Sequence, residues 1–283
     1  MHHLWGLSSF TALLMLLGLG EPAFTEAQPL ALADDPFEIT DPVAAKPGEA
    51  ELNLVGLYER ARSGAHRGTI AFDTELQMGI ARGLEIRVGQ VDAYGNVELR
   101  GRPAMLEAMQ PVRSQSTGVP ASGGATRVEA PYQFTNGSGA FPITSVLGRV
   151  RAVYGRDIPG YEGDLFALFA QTIGSGPRAM GLNLNLGWTS RFNPVRGERP
   201  SRYSISATIG QGIADDTVLV LGYVRRQQER GERDFSLVEV GLRQRFPGGG
   251  PILGLAAGFG TNRDSPAFRV SLAAQWSFGG DAR

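Results

Sequence analysis

Phe268–Phe278 reads FRVSLAAQWSF, and every second residue is apolar: Phe268, Val270, Leu272, Ala274, Trp276 and Phe278. Between them stand Arg269, Ser271, Ala273, Gln275 and Ser277. Successive side chains of an extended chain point to opposite faces, so this is a strand with one apolar face. Two environments fit such a strand: a half-buried soluble sheet, or a membrane with lipid on the apolar side. The choice decides the fold, and the rest of the chain supplies the means to make it.

The period of two recurs along the chain. In Ile70–Ala81 (IAFDTELQMGIA), Ile70, Phe72, Thr74, Leu76, Met78 and Ile80 alternate with Ala71, Asp73, Glu75, Gln77 and Gly79. A helix would scatter Asp73, Gln77 and Met78 over mixed faces, whereas a strand separates them. Met180–Thr189, Tyr203–Gly210 and Val238–Phe246 repeat the pattern. Further strands are predicted at Ala50–Arg60, Leu84–Gln90, Val146–Tyr154, Leu165–Ile173, Thr217–Arg225 and Ile252–Gly260, with one more within 126–135. The total is about twelve (range ten to fourteen), each roughly ten residues long, the length a tilted strand needs to cross a bilayer.

Connection lengths test the membrane reading independently, because outer-membrane barrels have short periplasmic turns and longer outer loops. With the C-terminus in the periplasm, 261–267, 226–234, 190–202 and 155–163 fall outside, and the shorter 247–250, 211–216 and 174–177 fall inside. The same parity sorts the aromatics. Tyr58, Phe72, Tyr154, Trp188, Tyr203, Tyr223, Phe259 and Phe268 lie at outer strand ends, while Phe246, Trp276 and Phe278 lie at periplasmic ends. Two aromatic girdles around an aliphatic band suit the two membrane interfaces, and a soluble sandwich has no reason to build them. The chain therefore reads as all-β: an antiparallel, up-and-down transmembrane β-barrel of the bacterial outer membrane. Gly101–Thr126, rich in Gly, Pro and Ser, reads as a long outer loop.

Composition narrows the chemistry. The 283 residues contain no cysteine, which excludes disulfides, thiolate metal sites and a lipid-modified N-terminal cysteine. A formal net charge of -1 gives no electrostatic reason to bind nucleic acid. Lys46 is the only lysine. The arginine bias reads either as genome composition or as a means of bidentate phosphate contact with lipopolysaccharide. At the N-terminus, the apolar run Phe10–Leu19 is about half a membrane span long and is followed by Thr25-Glu26-Ala27. Residues 1–27 read as a signal peptide cut near Ala27, with Ala33 as the alternative. Residues 28–48, with four prolines and no periodicity, read as a flexible periplasmic leader; the barrel spans 49–278 and 279–283 form a tail.

Gly79–Gly89 (GIARGLEIRVG), Leu182–Trp188 (LNLNLGW) and the closing run Val238–Gly260 with Phe268–Phe278 resemble the outer-membrane barrel family named for a MetA pathway of phenol degradation. The resemblance covers roughly 49–278. It departs from the family where Asp157-Ile158-Pro159-Gly160 replaces a Pro-Thr-Gly after Val146–Tyr154. It implies passive transport of hydrophobic or aromatic compounds, with no cofactor and no catalytic residues. The terminal Phe278 resembles the signal read by the barrel-assembly machinery.

The candidate functional surface is the lumen, which receives the polar face of each strand. Its predicted lining includes Asp73, Glu75, Glu85, Arg87, Arg149, Arg151, Asn183, Asn185, Glu239, Arg243, Arg245 and Arg269. These charges either pair and brace the wall or line a water-filled path. Three functions follow: a passive channel for small solutes, aromatic ones included; a structural or surface-interaction barrel with a closed lumen; or a lipid-modifying enzyme built on His66, with Ser63 and Glu59 beside it. The channel is the reading favoured, and no metal site or catalytic motif is found.

Overall fold

The computed structural model describes residues 39–62, 67–95, 120–138, 141–154, 160–194, 199–228, 230–231, 233–247 and 250–279. Twelve strands run in chain order: β1 (Ala50–Arg60), β2 (Gly68–Ala81), β3 (Leu84–Gly95), β4 (Ala121–Ser138), β5 (Phe141–Tyr154), β6 (Gly160–Ile173), β7 (Met180–Phe192), β8 (Ser201–Ala214), β9 (Thr217–Arg226), β10 (Phe235–Arg245), β11 (Ile252–Gly260) and β12 (Phe268–Phe278). Each is antiparallel to its chain neighbours, and β1 pairs with β12 from Ala50↔Phe278 to Arg60↔Phe268, closing the sheet into a barrel.

The two faces differ sharply. Leu165, Leu221, Leu255 and Leu272 stand outward and exposed, as do the aliphatics around them. In water so continuous an apolar exterior would aggregate; in a bilayer it is the stable arrangement. Aromatics cap this band. Phe72, Tyr94, Tyr161, Trp188, Phe192 and Phe259 are exposed at the outer ends, and Phe141, Phe246 and Phe278 at the periplasmic ends. Of the remaining predicted girdle residues, Tyr58 and Tyr223 are also exposed, while Tyr154, Tyr203, Phe268 and Trp276 are half-buried. Tyr58 packs on Phe268 with ring centroids 5.8 Å apart across the closing seam.

Periplasmic turns are tight. The connection 82–83 places Gly83 at φ 72°, a left-handed conformation that glycine adopts without steric cost. Register shifts fall at the periplasmic ends of three hairpins, between Gly79 and Ala81, Gln133 and Thr135, and Gly212 and Ala214. Bulges of this kind bend strands where a barrel must curve.

Sequence-based boundaries change at several strand ends, and three of the changes bring hidden inner residues into the barrel. The long outer loop ends before Ala121, because β4 takes in Ala121–Thr126, and Ala125 there points inward. β6 starts at Gly160, so Glu162 belongs to the barrel and not to an outer loop, and Asp164 is a strand residue beside it. β3 continues to Gly95, beyond the predicted Gln90. In all three places small or polar residues hide the alternation, since a strand with Gly, Ala and acids facing inward looks like a loop to a hydrophobicity reading. The leader changes as well, as described below. The signal-peptide reading falls outside the described residues.

Val240 lies midway along β10 and faces outward. Val240→Arg is expected to destabilise the barrel by about 2–4 kcal/mol, measured by urea unfolding in lipid vesicles. A cost near zero would place this face in water.

Candidate functional site

The interior is ionic. Glu59, Asp73, Glu75, Glu85, Glu129, Glu162, Asp164 and Glu239 place eight carboxylates in buried positions on the strands, and Arg87, Arg127, Arg149, Arg151, Arg202, Arg226, Arg243 and Arg269 place eight guanidiniums there. The numbers match because a charge removed from water must be paired.

Most of these groups form one continuous ribbon. Arg127 on β4 reaches Asp73 (Nη1–Oδ1 2.8 Å) and Glu75 (Nη2–Oε2 2.6 Å) on β2, and its Nε donates to Glu129 at 2.8 Å. Between β4 and β2 lies β3, crossed at Gly89, where an added methyl would overlap the Arg127 guanidinium. Glu129 approaches Arg149 at 3.6 Å, and Arg149 Nε holds Asp164 at 2.7 Å. Arg151 bridges Asp164 (3.0 Å) and Glu162 (2.8 Å). Glu162 accepts further from Arg191 (2.9 Å) and Arg202 (2.6 Å). The ribbon thus runs along the inner wall from β2 to β8. A second group joins strands near the seam: Arg269 holds Glu59 at 2.8 Å and approaches Glu239 at 3.9 Å.

Apolar inner patches flank the ions. Val55, Leu57, Ala71, Val91 and Ala93 form one, and Leu147, Phe166 and Leu168 another. Val224, Phe235 and Leu237 form a third, with Arg226 and Arg269 over the Phe235 ring at 5.6 and 5.4 Å. A guanidinium over a ring face is attracted by its quadrupole.

The predicted lining residues all come from inward positions. Asp73, Glu75, Glu85, Arg87, Arg149, Arg151, Asn183, Asn185, Glu239, Arg243 and Arg269 are buried inside, and Arg245 is partly exposed at the periplasmic end of β10. Sequence reasoning missed Glu59, Arg127, Glu129, Glu162, Asp164, Arg191, Arg202 and Arg226. Arg127 and Glu129 alternate with Thr126, Val128 and Ala130, a signal that was present but lay next to the Gly- and Ser-rich stretch. Glu59 faces inward onto Arg269. Ser63 and His66, the other members of the suggested enzymatic trio, lie outside the described residues.

The described part of the leader corrects the flexible reading. Ile39, Asp41 and Ala44 are buried, and the segment is read by side chains of four strands. Gln133 Oε1 accepts from Ala44 N–H at 3.0 Å, and Glu85 Oε2 from Ala45 N–H at 2.6 Å. Ser145 Oγ donates to the Pro42 carbonyl, and Asn185 Nδ2 to that of Thr40 at 3.0 Å. Arg87 Nη2 approaches the Asp41 carbonyl at 3.5 Å.

A closed, twelve-stranded antiparallel sheet with lipid outside and paired charges inside is an outer-membrane β-barrel. No family model and no curated protein matches the chain. Solved outer-membrane barrels do. KdgM porin in complex with disordered oligogalacturonate matches at TM-score 0.49 and 11% identity, over 81% of this chain and 99% of that one. A second structure of KdgM porin matches at TM-score 0.48, 11% identity and the same coverage. The translocator domain of autotransporter NalP from Neisseria meningitidis matches at TM-score 0.45 and 10% identity, over 83% and 90%. Similarity at this level transfers neither substrates nor residue roles.

Removing one member of a buried ion pair strands the others. Arg127→Met is therefore expected to cost about 3–5 kcal/mol. Arg225→Ala, which breaks the rim pair with Asp234 at a half-exposed side chain, should cost under about 1 kcal/mol. Unfolding midpoints in detergent compare the two, and equal costs would mean that the interior is as wet as the rim.

Proposed function

We propose that this chain is a passive outer-membrane channel for small solutes, held closed in the state described. The observation that carries the reading is the make-up of the inner face. A wall meant only to be filled is built most stably from apolar side chains, since burying charge costs free energy even when the charges pair. Here charged residues of both signs occupy much of the inner wall, and the periplasmic halves of β7 and β8 are small and polar on the inside. The inner positions of β7 and β8 include Gly181, Asn183, Asn185, Ser206, Thr208, Gly210 and Gly212. Small polar side chains beside ionised ones suit a water-filled path once the lumen opens.

The likeness of Gly79–Gly89, Leu182–Trp188 and Val238–Phe278 to the phenol-degradation barrels extends the proposal to hydrophobic or aromatic solutes. The three apolar inner patches support that extension, because they offer such solutes contact within an otherwise ionic wall. The closed structural barrel remains the second reading, favoured by the ion-pair ribbon itself, which joins residues of six strands between β2 and β8.

In planar bilayers the purified barrel is expected to show discrete current steps, and cells carrying the gene should take up small solutes faster than cells lacking it. Silence in both measurements would reject the channel and leave the structural barrel.

A further inference from the structure

We infer that the periplasmic half of the lumen is a binding site for an extended peptide backbone, and that residues 39–46 are its removable occupant. Lys46–Gly48 are exposed, and Gly48 N–H donates to the Gly79 carbonyl at 3.2 Å. From there the segment runs inward to Thr40, which meets Asn185 five residues along β7 from Met180, about 16 Å of strand.

The contacts distinguish a bound ligand from a packed wall element. Gln133, Glu85, Ser145 and Asn185 come from β4, β3, β5 and β7, and each bonds a backbone group of the segment. The segment joins no strand ladder over these residues, and from Thr40 to Ala45 its own side chains are short. Recognition through backbone groups by side chains on a rigid wall holds a chain in one place and leaves it able to depart, because water replaces each bond when the segment leaves. The wall is also shaped to receive it. Gly79 faces inward, and any side chain there would overlap the carbonyls of Ala45 and Lys46.

The gating consequence rests on the channel reading: a segment seated in the lumen obstructs it, and its withdrawal opens it. The seat itself does not depend on that reading, so two measurements separate them. The chain has no cysteine, so Ala44→Cys supplies a single buried thiol in the full-length barrel. Maleimide labelling should be slow in this variant. Adding Gly79→Leu, which fills the seat, should raise the labelling rate at least about tenfold, with each unit of log rate equal to about 1.4 kcal/mol of lost seating. A triple variant, Gln133→Ala, Ser145→Ala and Asn185→Ala, adds no bulk and should also accelerate labelling. Heat-modifiable gel migration selects the folded barrels in each case. Unchanged labelling in both folded backgrounds would overturn the inference. Accelerated labelling together with larger or more frequent current steps supports both the seat and the gate; accelerated labelling with neither current nor solute uptake supports the seat and rejects the channel.

Discussion

Closure of the sheet between β1 and β12 is the constraint on which the rest depends. Lipid offers no hydrogen bonds, so a sheet can cross a membrane only if no strand keeps a free edge. The seam from Ala50↔Phe278 to Arg60↔Phe268 satisfies that requirement along the whole of both strands. Once the sheet is closed, the period of two leaves little choice. One set of side chains meets lipid and must be apolar, and the other meets a confined interior and must be satisfied there.

The interior meets that demand mainly with ion pairs. Arg127 is the pivot, because it reaches Asp73 and Glu75 of β2 across the gap left by Gly89 and also holds Glu129 of its own strand. From Glu129 the ribbon continues through Arg149, Asp164, Arg151 and Glu162 to Arg191 and Arg202. Glu129, Asp164 and Glu162 each share their oxygens among two or three arginines, and the pairing also ties strands that are not adjacent in the sheet. Packing of this kind ties rigidity to polarity, and polarity is what a solute path requires. On the proposed channel reading, the same wall serves bracing and passage. The segment 39–46 uses a different chemistry, backbone hydrogen bonds to side chains of Glu85, Gln133, Ser145 and Asn185, and occupies space below the ribbon.

Much of this was legible in the amino-acid order, and the illegible parts share a cause. Strands such as Ile70–Ala81 and Phe268–Phe278 declare themselves because their outward side chains are large and apolar. Alternating connection lengths then orient them, since turn length is a local property. The start of β6 and much of β4 stay hidden because their inner residues are acids, alanines and glycines, whose alternation carries little hydrophobic contrast. Lining residues such as Arg149 and Arg269 could be named from strand parity. Their partners could not, because a partner such as Asp164 or Glu59 is set by the register between strands, which is a property of the closed sheet.

By itself, then, the sequence determined the membrane-facing surface, the up-and-down order of the strands and the side on which each connection lies, because each follows from local periodicity and turn chemistry. Only the tertiary structure decided which charges meet, and that residues 39–46 sit inside the barrel instead of trailing from it. The physical reason is range. Ion pairing and backbone recognition join groups tens to more than a hundred residues apart, as Arg269 with Glu59 and Asn185 with Thr40 show, and nothing in the local sequence of either partner encodes the distance between them.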